Sequence, residues 1–188
     1  MGRFFVGEIV LKIGITGTHS VGKTTLLNAL RSENVFKDFV ICDEVTRWVK
    51  TFNIDINEKG TDLSQNLIML KHIHNIFMFD NILTDRISLD GYVYSKYLYN
   101  NNKITSDCMH IVRNIHDKII KTNSYDYIFF LHPDFDIVKD GVRSENLQFR
   151  IDIHNIFLET IKEQHIKVHH ITGSVRERVN RVLEVVKK

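Results

Sequence analysis

The chain has 188 residues, 43% of them hydrophobic and 26% charged, with a net charge of +2; this globular balance fits one domain over residues 1–188. So weak a charge argues neither for a coat for nucleic acid nor for an acidic partner. Two cysteines make no disulfide framework and no apolar run approaches a membrane span of about 18 residues, so a cytoplasmic protein without a membrane partner is expected.

In chain order, β-branched and apolar runs of strand length alternate with longer helical patterns. "IVLKIGIT" (Ile9–Thr16) reads as the first strand and ends at Gly17. A helix over Gly22–Ser32 follows, then a strand in "FVICDEV" (Phe39–Val45) and a helix over Asp62–Phe79. Next come a strand in "NILTD" (Asn81–Asp85) and helices over Ser88–Tyr99 and Asp107–Thr122. The series closes with a strand in "YDYIFFL" (Tyr125–Leu131), a helix over Glu145–Gln164, and a strand in "IKVHHIT" (Ile166–Thr172). In the last helix Ser174 and Glu177 have capping-box spacing, and Val175, Val179, Val182, Leu183 and Val186 form an apolar face. Such alternation predicts an α/β fold with a parallel sheet covered on both faces. Ligands of these sheets gather at the carboxyl ends of the strands.

The stretch Gly17-Thr18-His19-Ser20-Val21-Gly22-Lys23-Thr24 fits G-x-x-x-x-G-K-[ST] at every fixed position, with Thr25 following inside the helix. Glycines let the loop wrap so that successive N–H groups converge on phosphate oxygens, and the helix adds its unsatisfied donors and positive dipole end. Lys23 is placed for the β- and γ-phosphates, and the Thr24 hydroxyl for Mg2+. The guanine-reading N-K-x-D is absent: Asn102-Lys103-Ile104-Thr105 lacks its aspartate and follows no strand.

Other candidates also sit at strand ends. Asp85 closes an apolar run, where a carboxylate is costly without a task, and is a second candidate for Mg2+; Arg86 follows it. Asp43 and Glu44 close the second strand, with Arg47 three residues on. Strand alternation puts Glu44 on the face of Cys42 and Asp43 on the other. Two carboxylates there could take a proton, hold a hydrated ion or cap a helix. Asp90 could bond a ribose hydroxyl or a base, and Trp48, Phe52, Tyr92 and Tyr94 could stack on one. The stretch from about 134 to 150 carries Lys139, Arg143 and Arg150 and suits a lid that excludes water and stabilises charge.

Together, "GTHSVGKTTL", "DEVTR", "TDR" before "SLDGYVY", "YDYIFFLHPDF", "DGVRSENLQFR" and "ITGSVRERV" resemble the small P-loop kinases of nucleosides and nucleotides. The nearest groups are bacterial ribosylnicotinamide kinase domains and related ATPase-like proteins, then thymidylate and deoxynucleoside kinases. The resemblance implies a three-layer fold whose five parallel strands run in the order 2-3-1-4-5, and an ATP- and Mg2+-dependent kinase for a small nucleoside or nucleotide. It further implies that Glu44 lies near the acceptor 5′ position and Arg86 near the reacting phosphates. Arg143 and Arg150 would be lid arginines, and the Thr172-Gly173-Ser174 turn would lie near adenine. Where deoxynucleoside kinases carry Glu-Pro the chain has "DEV", and it lacks the Asp-Arg-Tyr of thymidylate kinases, so the acceptor stays open. A nucleic-acid hydroxyl as acceptor, or a nucleotide-binding regulator with slow ATPase activity, are the alternatives.

Overall fold

A computed structural model describes residues 10–122, 124–134 and 146–187. Five parallel strands form one sheet: β1 (Lys12–Thr16), β2 (Val40–Cys42), β3 (Ile82–Asp85), β4 (Tyr127–Leu131) and β5 (His169–Ile171). Their order is β2-β3-β1-β4-β5, as the resemblance implies. Among the described residues seven α-helices surround it: α1 (Lys23–Arg31), α2 (Val45–Lys50), α3 (Asp62–Met78), α4 (Ser88–Asn100), α5 (Ser106–Lys121), α6 (Leu147–Glu163) and α7 (Val175–Val186).

Period-two alternation explains how one sheet serves two cores. On β4, Phe129 and Leu131 face the cluster built with α1 and α7, while Ile128 and Phe130 face the cluster of α3, α4, α5 and α6. On β3, Leu83 and Ile82 divide in the same way. Ile13 and Ile15 of β1 are wholly buried against α1 and α7. A smaller cluster of Val45, Val49, Ile56 and Ile68 seats α2 on α3.

Several elements differ from the expectation, among them the last strand, which forms only over His169–Ile171. The run Phe39–Val45 is strand only to Cys42, and Val45 opens α2 with Glu44 as its N-cap residue. The edge strand is thereby cut short where its chain turns into the site. On α7 the capping box forms, but Val175 is 39% exposed and Val185 is buried in its place. Val182 and Val185, three residues apart, share the buried face. Of the expected lid, residues 135–145 and with them Arg143 lie outside the described residues, and Arg150 already stands in α6. Among the described residues, no helix is long and apolar enough to cross a membrane.

Candidate active site

At the carboxyl end of β1 the chain turns at Gly17 with φ +136°; a Cβ there would lie 2.5 Å from the Leu131 carbonyl oxygen of β4. Only glycine permits that turn and that approach. Ser20 and Gly22 also have positive φ, 56° and 86°, so the loop wraps before α1 begins at Lys23. Thr18, His19, Ser20, Val21 and Lys23 are buried, Gly22 and Thr24 are half-buried, and Thr25 is exposed.

Lys23 Nζ donates to the carbonyls of Gly17 and Thr18, each at 2.7 Å, and so folds over its own loop. Burial, with repulsion from Arg86, lowers its pKa to about 8. Thr24 Oγ1 donates to Asp85 Oδ2 at 2.5 Å, which joins the loop to the end of β3. The other oxygen, Asp85 Oδ1, is buried without a hydrogen-bond partner among the described residues. Burial pushes the Asp85 carboxyl up, and Glu44 adds to this against the pull of Lys23 and Arg86. An orphaned carboxylate oxygen beside a hydroxyl is a hard oxygen donor set, and it fits Mg2+ that keeps most of its waters.

Arg86 follows β3 in the left-handed region, with φ +77°, and its N–H donates to the Ile15 carbonyl at 2.9 Å. A non-glycine residue held there costs about 1–3 kcal/mol, and such strain collects at functional sites. The turn aims the guanidinium inward. Nε and Nη2 donate to Glu44 Oε1 at 2.9 and 2.6 Å, and Nη1 to Asp90 Oδ1 at 3.4 Å. Thr46 Oγ1 donates to the same Glu44 oxygen at 2.7 Å, and Arg47 Nε to Oε2 at 3.2 Å. Burial works to raise the Glu44 carboxyl, but Arg86 above all, with Thr46 and Lys23, holds it well below the carboxylate range. Burial likewise opposes the charge on Arg86, but Glu44 together with Tyr94, Asp90 and Asp85 outweighs it, so its pKa lies above the ordinary value.

Asp90 is more a brace than a free ligand. Its Oδ2 accepts from Thr16 Oγ1 at 2.6 Å and from the Ile87 N–H at 3.0 Å. The Asp43 side chain is 74% exposed and accepts from Arg31 at 3.1 Å, and Asp43 lines a second, open cavity together with Glu44, Arg47 and Trp48. Trp48 and Phe52 pack on each other at the surface, and Tyr92 stacks on the buried His116. Of the four aromatics, Tyr94 alone lines a cavity of about 20 Å³ beside Arg86, with Thr46, Gln65, His72 and Asp90. His72 Nε2 has no partner among the described residues, and burial, with Arg86, lowers the His72 pKa to about 3. A neutral imidazole thus faces the cavity.

Arg150 is buried and its Nη2 donates to the Ser20 carbonyl at 3.5 Å, at the back of the phosphate loop. Gly173, with φ +89°, lies in the turn before α7. Arg178 was missed from sequence. Its three nitrogens donate to the Gly173 carbonyl at 2.8 Å, the Val21 carbonyl at 2.6 Å and Asp134 Oδ2 at 3.0 Å. Nothing in its neighbourhood marks it, because these partners come from three distant stretches of chain. Gln65 and His72 were missed for the same reason, as polar residues inside a helical pattern, and Thr46 because it lies between the expected elements.

This geometry is that of a P-loop nucleotide-binding fold. The model of an AAA domain matches residues 12–178, and the chain belongs to that family. No curated protein sequence matches it. Among solved structures it is similar to NadR in complex with NR, with a TM-score of 0.72 and 18% identity over 95% of this chain and 51% of that one. It is also similar to deoxyadenosine kinase from M. mycoides with bound dATP, at 0.67 and 15% over 95% of this chain and 100% of that one. The chain therefore spans about half the length of NadR. The fold is that of P-loop nucleoside kinases.

Proposed function

We propose that the chain is an ATP- and Mg2+-dependent kinase whose acceptor is a nucleoside hydroxyl, with residues 1–188 acting as one kinase domain. The observation that carries this reading is Glu44: a buried, ionised carboxylate bonded to Arg86, which lines the cavity with Tyr94. In the proposed reaction the nucleoside hydroxyl donates a hydrogen bond to Glu44. Its oxygen attacks the γ-phosphorus in line, the bond to the bridging oxygen of ADP breaks, and the hydroxyl proton passes to Glu44. A carboxylate held so far down is a weak base, so the proton moves late, and orienting the hydroxyl is the larger part of its contribution.

Lys23 leaves the loop carbonyls for the phosphates, and the loop N–H groups and Arg86 hold the charge that develops. Thr24 and Asp85 would hold Mg2+, which neutralises phosphate charge when bound. Arg150 would act from α6, and the Gly173 turn would border adenine.

A nucleoside is favoured over a monophosphate because Arg86 and Arg47 both bond to Glu44, whereas an acceptor phosphate needs cations of its own. The test is ATP consumption with Mg2+ across ribo- and deoxyribonucleosides and their monophosphates, beginning with deoxyadenosine and NR. Turnover should depend strongly on one nucleoside class. Slow hydrolysis indifferent to every acceptor would point instead to a nucleotide-binding regulator.

A further inference from the structure

Tyr94 belongs to two sites at once. Its ring forms a wall of the cavity, with the Arg86 guanidinium 5.4 Å above its centre. Its hydroxyl leaves the cavity and enters the phosphate loop, accepting from the His19 N–H at 3.1 Å and standing 3.2 Å from His19 Nδ1. The His19 imidazole stacks on Phe149 of α6 at 5.3 Å, and Tyr94 meets Phe149 edge-on at 5.8 Å. Three rings therefore form a wedge between cavity, loop and α6. Satisfying a buried N–H needs only some acceptor, and it does not require one mounted on the cavity wall.

We infer that Tyr94 is a positioning residue that couples occupancy of the acceptor cavity to the conformation of the phosphate loop, through its hydroxyl on His19. The inference rests on the cavity's being the acceptor site. An acceptor packed against the ring restrains the hydroxyl, and the hydroxyl restrains the backbone of a loop whose N–H groups must converge on phosphate. The two states are the loop with His19 held and the loop with it released. Each ligand favours the held state, so each should tighten the other by the same factor.

The test measures Mg–AMP-PNP affinity calorimetrically, with and without the best acceptor from the nucleoside panel, in the wild type and in Tyr94→Phe. Phenylalanine keeps the wall and removes only the hydroxyl. In the wild type the acceptor should tighten the analogue by about 5–150-fold, and the analogue should tighten the acceptor equally. In Tyr94→Phe both factors should fall below about twofold, with each protein's affinity for the analogue alone as its own reference. A wild type without coupling, or a variant that keeps it, overturns the inference. A second measurement needs neither acceptor nor variant: the Tyr94 ring resonances of the wild type should shift when Mg–AMP-PNP fills the loop. Should no panel member be phosphorylated, the kinase reading falls, and this shift decides the coupling. A motionless Tyr94 signal refutes it and a displaced one supports it.

Discussion

Nucleotide binding should take up a proton, and Lys23 sets how much. Its ammonium is buried, and its pKa stands at about 8, below the ordinary 10.5. A triphosphate on the loop brings anionic oxygens to Nζ and restores the charged form. Binding must therefore protonate whatever fraction of Lys23 was neutral beforehand. From a pKa of about 8, uptake is about 0.1 proton at pH 7, about 0.5 at pH 8 and about 0.9 at pH 9. Affinity weakens about twofold at pH 8 and about tenfold at pH 9, relative to its value at neutral pH.

Calorimetry of Mg–AMP-PNP binding, in two buffers of different ionisation enthalpy, reads the proton count directly. Asp85 acts with the opposite sign: burial raises its carboxyl, so cation binding releases any proton it holds, and Asp85→Asn removes that contribution. Lys23→Arg keeps its charge through pH 9, so uptake should vanish. Absence of uptake at pH 8–9 in the wild type, or uptake that persists in Lys23→Ala, refutes the reasoning. The same shift has a consequence for folding. Because the folded pKa lies below the unfolded one, the unfolded chain binds more protons between about pH 8 and 10.5. Lys23 therefore contributes a gain in stability of the nucleotide-free protein as pH rises through that window, about 3 kcal/mol at most.

Glu44→Gln keeps the shape and removes the charge; turnover with the best nucleoside should fall at least about a hundredfold, measured at saturating Mg2+, and a silent variant would remove Glu44 from the chemistry. Asp85→Asn should raise the Mg2+ concentration needed for half-maximal turnover, and an unchanged titration would leave Asp85 a purely structural partner of Thr24. Arg150→Ala should leave ATP affinity within a few-fold yet lower turnover, since arginines that stabilise the transferring phosphoryl group are worth about 10³–10⁵ in rate; near-full turnover would make its bond to Ser20 structural. Asp43→Ala should change acceptor KM less than about twofold and stability by at most about 1 kcal/mol, the range for exposed ion pairs, and a larger KM effect would return Asp43 to the acceptor site.

Local pattern alone determined the loop at 17–24, the strand that ends in Asp85 and the Ser174–Glu177 cap, because each depends on neighbours a few residues away. Glycines supply the turn, an apolar run supplies the strand, and a hydroxyl three residues from a carboxylate supplies the cap. Alternation along Phe39–Val45 also separated Glu44 from Asp43, and the first is buried while the second is exposed. That alternation did not reveal where the strand stops, because Glu44 turns the chain into α2 for reasons that lie across the sheet. Glu44 meets Arg86 at 2.6 Å over 42 residues, His19 meets Tyr94 over 75, and Arg178 meets Val21 over 157. These pairings exist only because parallel crossovers bring the ends of β1, β2 and β3 together, with α4 and α7 beside them. No periodicity records them, since a polar residue that serves a distant partner looks locally like one that serves water.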